Sequence, residues 1–141
     1  MRKYRNYVFA VAFLNGKFLI LHRTKNWRGW ELVKGGLKDG EDELKGLKRE
    51  IREETGNRKF LVAKTKRKIR YAFPRGFLKD KHIFYGAKGN LFLVELFSKR
   101  VSIDKSEHDE YMWADKKEAM RLLTHKNHKN ALDYVCKRYK L

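Results

Sequence analysis

The chain has 141 residues, 42% hydrophobic and 13% aromatic, enough to build a packed core and to exclude a disordered polymer. Lys and Arg number 35 against 17 Asp and Glu, and the net charge of +18 attracts polyanions such as nucleotides or nucleic acid. No stretch approaches the ~18 apolar residues of a membrane span, and Cys136 has no partner for an internal disulfide. A cytoplasmic protein with no membrane partner is expected. A solvated, lysine-rich surface is the competing reading of the charge.

"YVFAVAFL" and "KFLILHR" are β-rich apolar runs joined by Asn15-Gly16, a strong hairpin signal. "TKNWRGW" is turn-like, and its Trp27 and Trp30 either clamp a base or pack the loop. "ELVKGGLKDGE" carries three glycines without a helical period and predicts a loop. From Asp42 to Thr55 the pattern is helical, with Leu44, Leu47 and Ile51 as a core-facing stripe and Gly56 as the stop. Gly46 costs this helix about 1 kcal/mol relative to Ala, and close packing against a sheet would explain it. "KFLVAKTKRKIRYAF" predicts a long strand ended by Pro74, with Lys64, Lys66, Lys68 and Arg70 along one face. "HIFYGAKGNLFLVELF" predicts two strands turning near Gly86 to Asn90. "KSEHDEYMWA" is an acidic loop running into a short strand. Two helices close the chain. The first has Asp115 as N-cap, and the second carries Leu132, Val135 and Tyr139 on one side. One α/β domain over residues 1–141 is expected.

"REIREETG" poses a problem, because Glu50, Glu53 and Glu54 share one helix face. Two carboxylates ~4 Å apart repel by about 4 kcal/mol at an effective dielectric near 20. A divalent cation removes the conflict, since Mg²⁺ takes carboxylate oxygens and keeps substrate phosphates in its shell. Arg49 can orient a carboxylate, and the glycines of "KGGLKDGE" let the backbone approach the same point. The parts point to metal-assisted phosphoryl chemistry. A solvated acidic face alternating with Arg49 and Arg52 is the bland alternative.

Starting at Gly35, the sequence resembles the Nudix hydrolases through their pattern G-x5-E-x7-R-E-U-x-E-E-x-G-U. Gly35, Glu41, Arg49, Glu50, Ile51, Glu53, Glu54 and Gly56 match, and only Asn57 departs, standing where a bulky aliphatic belongs. The resemblance implies an α/β/α sandwich with a central mixed sheet, the box helix on one side and the C-terminal helices packed on the sheet. It implies Mg²⁺ or Mn²⁺ held by Glu50, Glu53, Glu54 and the Lys34 carbonyl, with Arg49 orienting a carboxylate and Glu41 tying loop to helix. A further glutamate from a distant loop is expected as ligand or base, Glu107 first and Glu110 second. Glu53, Glu54, Glu107 and Arg49 are thus the expected catalytic set.

"WELVKGGLKDGE" resembles the W-x-x-P-K/Q-G-x4-G-E stretch of dinucleoside tetraphosphate hydrolases and RNA 5′-pyrophosphohydrolases, with Val33 in place of proline. "YAFPRGF" and "YGAKGNLFLVEL" are similar to later elements of that subgroup. Arg23, Lys34 and the Lys64 to Arg70 strand are candidates to hold phosphates. Tyr71, Phe73 and Tyr85 are candidates to stack a base. The five histidines lack ligand spacing, and His108 alone falls near the expected site. The expected substrate is a nucleotide or polyphosphate: a dinucleoside tetraphosphate or the 5′-triphosphate end of RNA. A house-cleaning nucleoside triphosphate or ADP-ribose hydrolase and an RNA-binding Nudix module are the alternatives. Either a monomer or a homodimer is compatible.

Overall fold

A computed structural model describes residues 3–73 and 84–141. The strands are β1 (Tyr4–Leu14), β2 (Lys17–Arg23), β3 (Gly29–Glu31), β4 (Val33–Gly36), β5 (Phe60–Ala72), β6 (Gly86–Leu96) and β7 (His108–Ala114). The helices are α1 (Glu43–Thr55), α2 (Lys116–Leu122) and α3 (Lys126–Tyr139). Pro74 lies outside the described residues.

β1 and β2 form the expected hairpin. Asn15 and Gly16 both take positive φ, 50° and 75°, as a two-residue turn of matching twist requires. The strands order as β3-β2-β1-β6-β5, with β4 on β1 and β7 on β2. β1 and β6 run parallel, and the other pairings are antiparallel, so the sheet is mixed.

Alternation along β1 divides the core in two. Val8, Ala10 and Ala12 join Leu47 and Ile51 of α1 on one face. Phe9 and Val11 join Ala131, Leu132 and Val135 of α3 on the other. This is the expected sandwich, with α1 on one side and the C-terminal helices opposite.

Four expectations are corrected. The glycine-rich "ELVKGGLKDGE" contains the end of β3 and all of β4, because Val33 to Gly36 pair with Ala10 to Tyr7. Residues 86–96 form one strand without a turn at Gly86 to Asn90. A Cβ at Gly89 would strike the Tyr7 carbonyl oxygen, and one at Gly86 the Tyr71 carbonyl oxygen, so these glycines serve close strand approach. Gly46 packs against the Leu37 side chain rather than the sheet, and Leu44 of the proposed stripe is 44% exposed.

Asp42 caps α1 by accepting from the Lys45 amide, and Gly56 ends it at φ 75°. Asn57, the departure from the box, is buried. Its Nδ2 donates to the carbonyls of Thr55 and Arg100 at 3.3 and 3.1 Å, tying the helix end to the following segment by hydrogen bonds where an aliphatic would pack.

Candidate active site

The glutamates of α1 do not all point the same way. Glu50 and Glu54 turn inward, 8% and 3% exposed, whereas the Glu53 side chain is 53% exposed. Arg49 is the hub of the outer half. Its Nε and Nη2 donate to the two oxygens of Glu41 at 2.8 and 2.9 Å, a two-point grip. Nη1 donates to Glu50 at 2.8 Å and to Glu53 at 3.1 Å, and Nη2 also reaches the Gly36 carbonyl at 3.0 Å. The Arg49 hydrogen bonds hold the Glu41 carboxyl at about 2. Glu41 thus ties the loop to the helix, as expected.

The inner half is short of positive charge. Burial pushes Glu50 up to about 7 despite Arg49 beside it. Burial, reinforced by Glu31 and Glu50, pushes Glu54 well above the usual carboxylate range. Gly35 passes directly under Glu50, where a Cβ would collide with the carboxylate. The Lys34 amide donates to Glu54 Oε2 at 3.4 Å.

Glu107 arrives from the turn before β7. Its carbonyl accepts from the Thr24 amide at 2.9 Å, which pins that turn to the end of β2. Carboxylate oxygens of Glu54 and Glu107 and a ring nitrogen of His108 lie within 4.8 Å of one another. Glu110 sits three residues on, exposed in β7 opposite His22.

This donor set fits a divalent cation. Buried carboxylates converge where Arg49 and Lys34 offset their repulsion only in part, and a metal would return them to the ionised form. His108 Nε2 is engaged with Glu31, while its Nδ1 is buried without a hydrogen-bond partner among the described residues. A ring nitrogen thus stands beside the oxygens of Glu54 and Glu107 as a candidate ligand that the expected set lacked.

Behind the site lies a network that sequence reasoning missed. Glu31 is fully buried, accepting from Arg23 Nη1 at 3.1 Å and meeting His108 Nε2 at 2.7 Å. Lys34 Nζ stands 3.5 Å from its other oxygen, which has no hydrogen-bond partner among the described residues. Burial alone would raise Glu31, but Lys34, His108 and Arg23 together hold it at about 2. The one hint in the sequence was an acidic residue set between the apolar Trp30 and Leu32.

The candidate substrate residues separate into groups. Lys34 Nζ lies 5.4 Å above the Tyr7 ring, and its charge is felt by the half-buried Tyr71. Tyr71 packs edge-on against Phe9 and Phe73, and Tyr85 against Tyr4. Trp30 packs against the core cluster, while Trp27 lies edge-on to His125 at 4.4 Å and beneath Arg23. The expected unbroken basic row on β5 is interrupted, because the register with β6 shifts between Lys64 and Lys68. Lys66 sits in that irregular stretch beside Thr65, whose hydroxyl donates to the Leu91 carbonyl. Lys64 pairs with Glu43 of α1 at 3.0 Å, and Arg70 covers the Tyr4 ring.

The sequence model of the NUDIX domain matches residues 3–135. The chain belongs to the Nudix family. An RNA pyrophosphohydrolase of Ruthia magnifica subsp. Calyptogena magnifica is 32% identical over 122 residues, covering 79% of this chain and 68% of that protein. One from Helicobacter pylori (strain G27) is 35% identical over 113 residues, covering 76% and 72%. Among solved structures, the Escherichia coli dihydroneopterin triphosphate pyrophosphohydrolase superposes with TM-score 0.80 at 17% identity, covering 97% of this chain and 99% of that one. A Caenorhabditis elegans Ap4A hydrolase complex gives 0.78 at 17% identity, covering 96% and 98%. The Nudix fold and a hydrolase acting on pyrophosphate bonds follow. No helix among the described residues is long and apolar enough to cross a membrane.

Proposed function

We propose that this Nudix hydrolase acts on the 5′-triphosphate end of RNA, using Mg²⁺ or Mn²⁺ held by Glu50, Glu53, Glu54, Glu107 and the Lys34 carbonyl. The observation that carries the chemistry is the convergence of Glu54 and Glu107 beside the Lys34 backbone. The names of the curated relatives and the net charge of +18 favour RNA among polyphosphate substrates. The "WELVKGG" stretch keeps dinucleoside tetraphosphates as the second reading.

A metal bound there supplies charge neutralisation at phosphate oxygens and a more acidic water. Glu107, anchored through its backbone yet 30% exposed at its side chain, accepts the proton of the attacking water. The water oxygen forms a bond to phosphorus as the bridging P–O bond breaks, and the phosphate-bearing leaving group carries the displaced electron pair. Arg49 fixes Glu50 and Glu53 in place. Lys34 and Arg23 set a positive wall behind the phosphates, with Glu31 holding both.

The test is turnover with Mg²⁺ and with Mn²⁺ on triphosphate-ended RNA, diadenosine tetraphosphate, nucleoside triphosphates and ADP-ribose. The expected result is the highest kcat/KM on triphosphate-ended RNA. A higher value on a mononucleotide or on ADP-ribose would overturn it, and RNA binding without any turnover would favour a binding module.

A further inference from the structure

Arg67 of β5 meets the last helix. The irregular register at Thr65 to Arg67 leaves it against α3, its guanidinium 5.3 Å above the Tyr134 ring. Between β5 and α3 runs an open groove of about 440 Å³, lined by Arg67, Asn130, Asp133, Tyr134, Lys137 and Arg138. A second, smaller hollow shares Arg67 and Asn130 and extends the groove to Ile69 and Asn127. From Asn127 to Arg138 the helix rises about 16 Å, room for several phosphates in a row.

The charge of the groove is positive along its outer half. Arg67, Lys137 and Arg138 are exposed. Asp133 is the one acid lining it, and Lys116 and Lys137 each reach it at 3.0 Å. Tyr134 offers a half-buried ring face, already used by Arg67, on which a base can stack once the guanidinium turns to a phosphate. At the inner end, Asn127 Oδ1 is buried without a hydrogen-bond partner among the described residues.

The inner end also points toward the proposed site. Ile69 and Tyr71 share the sheet face that packs on α3, and Tyr71 feels the charge of Lys34. His128, next to Asn127, accepts from the Leu32 amide at 3.1 Å and so ties the start of α3 to the segment carrying Glu31 and Lys34.

We propose that the groove between β5 and α3 holds the phosphate backbone of single-stranded RNA downstream of the 5′ end, an inference that rests on RNA as the substrate. Lys64, paired with Glu43 beside α1, is outside this path. The path explains why a small catalytic domain carries arginines on an edge strand and on the outer end of its last helix. A dinucleoside tetraphosphate has no further phosphates to place there.

The variant is Arg67→Ala with Arg138→Ala, two exposed positions outside the catalytic cluster. Its affinity for a long 5′-hydroxyl single strand is measured at two salt concentrations, alongside KM for a triphosphate-ended dinucleotide and for a long triphosphate-ended strand. The expected result is roughly a tenfold loss on both long strands and a log–log salt slope shallower by about 1.4. The dinucleotide KM and every kcat stay unchanged, which also shows that the variant is folded. Undiminished binding of the long strands overturns the groove, as does an equal loss on the dinucleotide or on an acidic polypeptide. A parent enzyme that turns over no triphosphate-ended RNA defeats the substrate reading instead, while the 5′-hydroxyl strand still judges the groove.

Discussion

Glu31 and His108, 77 residues apart in the chain, meet at 2.7 Å where neither has any exposure. Lys34 and Arg23 complete the group, so one buried carboxylate serves three partners drawn from β2, β4 and β7. Burying such charges stabilises little by itself, because desolvation offsets attraction. Its use is positional: it fixes the segment that presents the Lys34 backbone to Glu54.

Removing the charge while keeping the shape tests this. Glu31→Gln leaves two buried cations short of a counterion, and breaking such a group costs about 3 kcal/mol or more. In a domain of this size the melting temperature should fall by on the order of 10 °C. Differential scanning calorimetry decides it. An unchanged melting temperature would mean that Lys34 and Arg23 do not depend on Glu31.

Glu54→Gln should act in the opposite sense on stability. Glu54 is pushed well above the usual carboxylate range in the metal-free protein, so neutralising it removes a repulsion. Turnover should fall by about 10²–10³, the usual loss when one electrostatic stabiliser is removed. The metal-free melting temperature should hold or rise, and the rise on adding Mg²⁺ should shrink. Glu53→Gln should also slow turnover, but without the gain in stability, since Glu53 is half-exposed and held by Arg49. A collapse of the metal-free melting temperature in Glu54→Gln would assign Glu54 a structural role.

Much of the architecture was legible because it is written locally. Asn15-Gly16, the Asp115 cap and the Gly56 stop each act within a few residues. The box placed Arg49, Glu41, Glu50 and Glu54 for the same reason: fixed spacing on a helix and its preceding loop. What failed depended on distant pairing. β4 exists because Val33 to Gly36 find β1, and Gly86 and Gly89 read as a turn because their strand neighbours are invisible in the sequence. The irregular register at Thr65 to Arg67 is likewise set by the buried Thr65 hydroxyl on the Leu91 carbonyl, and it turns Arg67 toward α3. Glu31 was missed because its partners lie on other elements.

His128 gives a pH test separate from the metal site. Burial lowers its pKa to about 3, and its Nδ1 accepts from the Leu32 amide. The unfolded chain takes up a proton near pH 6.5 that the folded chain refuses, so stability falls with pH below that value. The loss approaches about 1.4 kcal/mol for each further pH unit. Glu31, held at about 2, loses its contribution only at lower pH, below its unfolded value. His128→Asn keeps an acceptor near the same place but cannot titrate. Between about pH 7 and pH 5 its stability should stay flatter than the parent's in urea titrations. Parallel curves would show that His128 is not the group responsible.

The last test concerns the base. Glu107 and Glu110 lie close in sequence, and both were candidates for the distant carboxylate. Their surroundings differ: Glu107 comes within 4.8 Å of Glu54, while Glu110 is exposed in β7 opposite His22. A group that takes a proton from water acts in the transition state, so its loss appears in kcat with KM little changed. Glu107→Gln should therefore lower kcat by about 10²–10⁴, the range for a lost general base. Glu110→Gln should leave kcat within a factor of about 3, as expected for an exposed side chain remote from the reacting atoms. Small and equal losses in the two variants would remove this turn from the chemistry. A rise in the Mg²⁺ concentration needed for half-maximal rate, with kcat restored at saturation, would make Glu107 a ligand alone.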